Sequence, residues 1–244
     1  MKFTRWTKVK GYVSPYGLPE FSKDLRHWLR RSFLGLPRVE LSDLFDLGST
    51  NFEIIIPNHN HGSDRNASLT INDKLAIALL CHVTKPKHVI EIGTFRGETS
   101  DLIARNLTNA EIYTLDLPPD FASHACRPDA DDLDVLKLRQ PGLYIQASYS
   151  THSRVYQVYG DSAKFNFEEL ERTFDLAFID GAHSYEYVKN DTEKILPLMN
   201  PGGWIIWDDY SFSFPEIIEY ANTLKNQGAI HIYGTRLVAL RLEA

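Results

Sequence analysis

From about residue 67 onward, short apolar runs alternate with segments of helical period, and few folds accommodate that alternation. The runs are His88 to Ile92 (H-V-I-E-I), Glu111 to Leu115, Val155 to Tyr159, Phe174 to Ile179 and Gly203 to Trp207. Phe174 to Ile179 is almost unbroken, as in a strand buried on both faces. Helical patterns lie between the runs. One follows Thr70-Ile-Asn-Asp73, which resembles a capping box with aspartate in third place, and reaches about Val83. Others run from a glycine turn to about Leu107, from about Tyr185 to Met199 and from about Pro215 to Asn226. Two closing strands, near 229–233 and 236–242, flank a turn at Tyr233-Gly234-Thr235. The expectation is an α/β fold with a doubly wound, mostly parallel seven-stranded sheet and an antiparallel last strand. Residues 117–153 read as irregular, with Pro118, Pro119, Pro128 and Pro141.

Residues 1–66 read as an N-terminal extension able to act as a lid, and 67–244 as the main domain. In the extension Phe21, Leu25, Trp28, Leu29 and Phe33 form a helical stripe, ended by Gly35 and Pro37. Phe52 to Ile56 reads as a short strand stopped by Pro57, and 58–66 as a polar loop. The His59-x-His61 pair in that loop has no third ligand nearby, which favours a mobile loop over a metal site. Charge also divides here. Residues 1–40 hold nine basic and three acidic residues, leaving 17 basic and 29 acidic among the other 204. An acidic body argues against nucleic acid as a partner. The basic head reads as a solvated face, with steering of an anionic substrate or contact with a membrane surface as the alternatives. No window approaches 18 apolar residues, so no membrane span is expected. The first residues lack the apolar core of a secretion signal, and there are only two cysteines, Cys81 and Cys126. Both features lead to the expectation of a cytoplasmic protein.

The strand at 88–92 leads into the turn G-T-F-R-G, residues 93–97. Gly93 and Gly97 allow a sharp turn and a close approach of backbone to ligand. The helix starting near Gly97 offers free N–H groups and a positive dipole end to a carboxylate or phosphate. Asp116, 23 residues after Gly93, ends the next strand, where a carboxylate can accept both hydroxyls of a ribose. This is an adenosine-type pocket. A nicotinamide fold wants G-x-G-x-x-G, but Thr94 stands where the second glycine belongs, and Thr94, Phe95 and Arg96 narrow the space for a pyrophosphate. Glu91, just before the turn, suits a ligand with an amino-acid end.

With further segments in order, the sequence resembles the class I S-adenosylmethionine-dependent methyltransferases, with their Rossmann-like fold. E-I-G-T-F-R-G is similar to that family's first motif, without its middle glycine. I-Y-T-L-D-L resembles the ribose-binding strand end, and Y-G-D-S the adenine-contacting turn, which implies Asp161 and Ser162 near the base. F-D-L-A-F-I-D-G-A-H-S-Y (174–185) and P-G-G-W-I-I-W-D-D-Y (201–210) resemble the fourth and fifth motifs, in wording nearest the bacterial small-molecule O-methyltransferases of the metal-dependent, catechol-type arrangement. The resemblance implies that Gly93, Thr94, Phe95 and Gly97 cradle S-adenosylmethionine. It further implies that Thr99 binds the methionine carboxylate and that Glu91 lies near its amino group.

Asp180 directly follows one strand run, and Asp208 and Asp209 follow another. Strand carboxyl ends in an open parallel sheet face one crevice. Three gathered carboxylates resist ionisation together, and a divalent cation relieves the conflict; hard oxygen donors suit Mg²⁺. Asp180, Asp208 and Asp209 are therefore candidate metal ligands, with Asp180 also beside the cofactor. His183, three residues past Asp180, is a candidate general base, and the resembled enzymes carry a basic residue at this place. The simpler alternatives are that Asp180, Asp208 or Asp209 caps a helix and that His183 faces solvent. Tyr185 and Tyr210 flank the cluster as candidate substrate wall, whereas Trp204 and Trp207 read as core.

The leading expectation is methyl transfer to the hydroxyl of a small-molecule acceptor, with the alternatives of a nicotinamide-dependent oxidoreductase and of a non-catalytic or hydroxylase-like relative on the same fold. Assembly is open between a monomer and a homo-oligomer.

Overall fold

The structure, a computed structural model, describes residues 35–44, 52–59, 68–118, 142–145 and 154–243. The helical stripe of Phe21 to Phe33, His61, Cys126 and most of the proline-rich stretch 119–153 lie outside them.

Eight strands form one sheet. In chain order they are β1 (Arg38–Val39), β2 (His88–Ile92), β3 (Glu111–Asp116), β4 (Arg154–Tyr159), β5 (Phe174–Ile179), β6 (Met199–Trp207), β7 (Ile230–Ile232) and β8 (Val238–Arg241). They lie in the order β1-β7-β8-β6-β5-β2-β3-β4. All pairings are parallel except those of β8 with β6 and β7. The mostly parallel sheet with an antiparallel last strand is therefore as expected. The eighth strand is β1, two residues of the extension laid along β7.

Five α-helices of the described residues accompany the sheet: α1 (Leu41–Leu44), α2 (Ile71–Thr84), α3 (Glu98–Asn106), α4 (Tyr185–Ile195) and α5 (Pro215–Thr223). Alternate strand residues supply two cores. Val89, Leu176, Phe178, Trp204 and Ile206 pack with Ile77, Leu80, Leu102 and Ile103 of α2 and α3. Ile90, Ala177, Ile179, Ile205 and Trp207 pack with Val188, Ile195, Ile217 and Ile218 of α4 and α5. Both tryptophans are core, and the Trp207 indole N–H donates to Thr192 Oγ1 at 2.9 Å.

Helix α2 begins with the expected capping box. The Asp73 amide donates to Thr70 Oγ1, and the Thr70 amide donates to the Asp73 carboxylate. Helix α4 is capped by Ser184 and α5 starts at Phe214 with no side-chain cap, so Asp180, Asp208 and Asp209 cap neither.

Phe52 to Ile56 is not a strand. The Ile55 amide and carbonyl are both taken by the Asn106 side chain, at 2.9 and 2.8 Å, so this backbone is satisfied away from any sheet edge. Phe52 stacks on His82.

The chain reaches β2, β3 and β4 on one side and then returns to β5 on the other side of β2. The order reverses between β2 and β5, and a crevice forms outside their carboxyl ends.

Candidate functional site

Two turns meet at that reversal. Gly93 follows β2 with φ +99°, and its amide donates to the Leu115 carbonyl at 2.9 Å. A β-carbon on Gly93 would stand 1.9 Å from the Asp180 carbonyl oxygen, so only glycine fits. Asp180, at the end of β5, donates its amide to the Ile92 carbonyl at 2.8 Å. The glycine turn and the first candidate metal ligand thus share one crevice.

The turn is held from several sides. The Phe95 amide donates to Asp116 Oδ2 at 2.9 Å, and the Leu117 amide to Asp116 Oδ1 at 2.7 Å. Thr94 is buried, with its hydroxyl 2.6 Å from Thr114 Oγ1 and accepting from Gln157 at 3.0 Å. Gly97, at φ +83°, caps α3, and a β-carbon there would meet Ile145 at 2.6 Å. Residues 142–145 press on the turn, with the Gly142 and Tyr144 amides donating to the Phe95 and Arg96 carbonyls. Thr99 is buried in the first turn of α3, among amides without an intrahelical partner.

Glu91 is buried beneath this turn and accepts from the hydroxyls of Ser100 and Thr114. Burial pushes its carboxyl up to about 7; hydroxyl donors from Ser100, Thr114 and Thr99 pull it down, and Asp116 adds to the rise. Asp161, after β4, accepts from the Ala163 amide at 3.0 Å and the Tyr187 hydroxyl at 3.3 Å. Neighbouring Ser162 is half-buried, its carbonyl accepting from Lys194 Nζ at 2.8 Å.

The acids gather as their positions suggested, but not symmetrically. Ligand atoms of Asp180, His183 and Asp209 lie within 4.8 Å of one another. His183 Nε2 is 2.9 Å from Asp209 Oδ2, and the ring stacks on Phe214 with centroids 4.1 Å apart. His183 therefore does not face solvent. Asp209 has a left-handed backbone, φ 59°, which aspartate tolerates better than most residues. Asp208 turns away, accepting the Asp209 amide at 2.6 Å and lying 3.4 Å from Arg236 Nη2. Burial raises the Asp208 carboxyl to about 8, and the Asp209 charge adds to this against the pull of Arg236. Asp180 is raised well above its ordinary range by burial and by Asp208 and Asp209, with His183 and Arg236 opposing. No hydrogen-bond donor among the described residues reaches the Asp180 carboxylate. A half-buried carboxylate that no described donor reaches, beside two buried ones, fits a divalent cation.

Tyr210 is not at a substrate wall. It is 1% exposed and donates its hydroxyl to Asn222 at 3.0 Å. Tyr185 is half-buried against Tyr220.

Sequence reasoning missed two residues. Arg236, just before β8, reaches Asp73, Asp208 and Asp209. His59 is no mobile loop residue. Its Nε2 lies 2.8 Å from Asp101, its Nδ1 3.4 Å from Glu98, and its ring stacks on Tyr144. Lys74 completes this group with a 2.6 Å ion pair to Glu98. Arg236 sits in no motif and His59 only in the His59-x-His61 pair, and both find their partners through contacts distant in sequence.

Residues 90–210 match a family model described as a methyltransferase domain. Uncharacterized protein R132 of Acanthamoeba polyphaga mimivirus is 31% identical over 122 residues, and the chain spans about half the length of that relative, which covers 50% of this chain. Among solved structures, S-adenosylhomocysteine-bound methyltransferase PaMTH1 of Podospora anserina aligns with a TM-score of 0.56 at 15% identity, over 100% of this chain and 98% of its own. O-methyltransferase NovP aligns with a TM-score of 0.56 at 17% identity, over 71% and 81%. O-methyltransferase TomG of Streptomyces achromogenes aligns with a TM-score of 0.50 at 16% identity, over 73% and 83%. At these identities the solved structures show a shared fold.

Proposed function

We propose that the chain, whose residues 90–210 match a methyltransferase domain, is a class I S-adenosylmethionine-dependent methyltransferase that methylates a hydroxyl of a small-molecule acceptor, assisted by a divalent cation and a histidine base. The observation that carries this reading is the contact of Gly93 with Asp180, which joins a cradle for the methyl donor to the His183–Asp209 pair.

In the cradle, the glycine turn brings backbone against the donor, and Asp116 accepts from the ribose hydroxyls. Asp161 and Ser162 border the adenine. The first-turn amides of α3 and Thr99 receive the methionine carboxylate, while Glu91 faces the amino group. A pyrophosphate is disfavoured, because the buried Thr94 hydroxyl and its partner Thr114 stand where a second glycine would open space.

His183 removes the acceptor's hydroxyl proton. Asp209 orients its ring through the 2.9 Å contact and stabilises the imidazolium that forms. The acceptor oxygen then takes the methyl carbon in line as the carbon–sulfur bond breaks, giving a methyl ether and S-adenosylhomocysteine, and His183 releases the proton to solvent. Asp180 and Asp209, with Asp208 beside them, would hold Mg²⁺ or a similar cation. When bound, such an ion lowers the acceptor hydroxyl's pKa and fixes its position.

Incubation with S-adenosylmethionine, Mg²⁺ and a panel of phenolic, sugar and hydroxy-acid acceptors tests the reading by product mass. A gain of one methylene supports it. A gain of oxygen, or turnover with NAD instead, overturns it. No helix of the described residues is long and apolar enough to cross a membrane.

A further inference from the structure

We propose that Arg236 is a built-in counter-ion that divides the acid cluster, keeping Asp208 and one oxygen of Asp209 for itself and so setting how tightly, and through which residues, a divalent cation is held. The inference rests on reading the cluster as a cation site.

The geometry of Arg236 carries it. Nη1 lies 2.8 Å from Asp209 Oδ1 and Nη2 3.4 Å from Asp208 Oδ2. Nη2 also donates to the Ser68 carbonyl at 3.1 Å, and Nε faces Asp73 Oδ2 at 3.4 Å. The backbone amide of Arg236 donates to Asp73 Oδ1 at 2.8 Å. Asp73 is fully buried and is itself fixed by the capping box of α2. The guanidinium therefore has partners on every side and little freedom to swing away.

This arrangement splits the two oxygens of Asp209. Oδ1 faces Arg236, and Oδ2 faces His183. Asp208 has one oxygen on the Asp209 amide and the other toward Arg236. Asp180 alone among the three carries no donor from the described residues. One guanidinium reaches Asp73, Asp208 and Asp209 but donates nothing to Asp180, so Arg236 does not replace a dication. It competes with one for Asp208 and Asp209 and leaves Asp180 as the principal ligand. A fixed positive charge within a few ångströms weakens cation binding strongly at the low dielectric of a buried site.

Mn²⁺ titration followed by electron paramagnetic resonance, with no methyl donor present, provides the test. Removal of the charge in Arg236→Gln should tighten Mn²⁺ binding by about tenfold or more, and Arg236→Lys should stay within about threefold of wild type. Equal or weaker binding by a folded Arg236→Gln would overturn the proposal. If Arg236→Gln does not fold, a second pair of variants decides. Asp208→Asn should change Mn²⁺ affinity by less than about threefold, whereas Asp180→Asn should lose about tenfold or more. An equal loss in both would make Asp208 a direct ligand and overturn the proposal. Calorimetry with S-adenosylhomocysteine separates the two ideas. Absent binding there defeats the methyltransferase reading, while the Mn²⁺ comparison still judges Arg236.

Discussion

Gly93 and Asp180 touch: a β-carbon on the glycine would lie 1.9 Å from the aspartate's carbonyl oxygen. Strands β2 and β5 are neighbours, and their carboxyl-terminal turns are packed backbone to backbone. The glycine turn and the acid cluster, 87 residues apart in the chain, are brought together by this contact.

The contact makes Gly93→Ala a severe substitution. It combines a φ of +99° with a clash against backbone that cannot rotate away. Urea denaturation should show a loss of at least about 2 kcal/mol. A variant as stable as wild type would mean that the turn relaxes freely and that the contact is not a constraint.

The pairing of His183 with Asp209 separates chemistry from binding. His183→Ala should lower kcat by about 10²- to 10⁴-fold. Affinity for S-adenosylhomocysteine should stay within about threefold, because the ring lies on the acid side of the crevice. Asp209→Asn should also slow turnover through loss of orientation. Steady-state kinetics beside calorimetry checks this, and wild-type kcat in His183→Ala would assign the proton to another group.

Glu91 makes stability fall with rising pH. Its folded carboxyl titrates near 7 because of burial, against about 4.3 in an unfolded chain. The folded state therefore holds a proton that the unfolded state has lost, and stability declines between those values by at most about 4 kcal/mol. Glu91→Gln should lose this contribution. Urea midpoints from pH 4.5 to 8 should converge for the two proteins at the acid end and diverge at the alkaline end. Parallel profiles would refute the assignment.

His59 also makes stability fall with rising pH, through a cation rather than a neutral acid. Burial opposes its charge, but hydrogen bonds and charges from Asp101 and Glu98 outweigh it and raise its pKa above 6.5. A raised histidine contributes fully below its unfolded value, and that contribution is lost as pH climbs through the folded one. Residues 52–59 should therefore be held to α3 more firmly at pH 6 than at pH 8.5. Hydrogen exchange at the Ile55 amide reads this directly once corrected for intrinsic rates. His59→Gln should abolish the difference, and equal protection in wild type at both pH values would count against the clasp.

Much of the site was legible because its residues end apolar runs. Asp116, Asp180 and Asp208 each follow a strand whose alternating residues face two cores, so their shared edge follows from the topology. Gly93 was legible because a strand running into a helix needs a residue of its kind. Arg236 was not, since an arginine after a hairpin turn has no pattern showing that it points to Asp73, 163 residues earlier. Phe52 to Ile56 has strand-like composition, yet the Asn106 side chain takes both polar groups of Ile55. Local propensity could not anticipate that competition. His59 was misread for the same reason, because its partners on α3 are 39 and 42 residues away.

The joined site is tested most directly by calorimetric titration of S-adenosylhomocysteine into the wild-type protein and into Asp116→Ala. The account predicts binding at one site per chain in the wild type, weakened by about tenfold or more when the ribose-facing carboxylate is removed. No heat at millimolar ligand, or equal affinity in the two proteins, would contradict it.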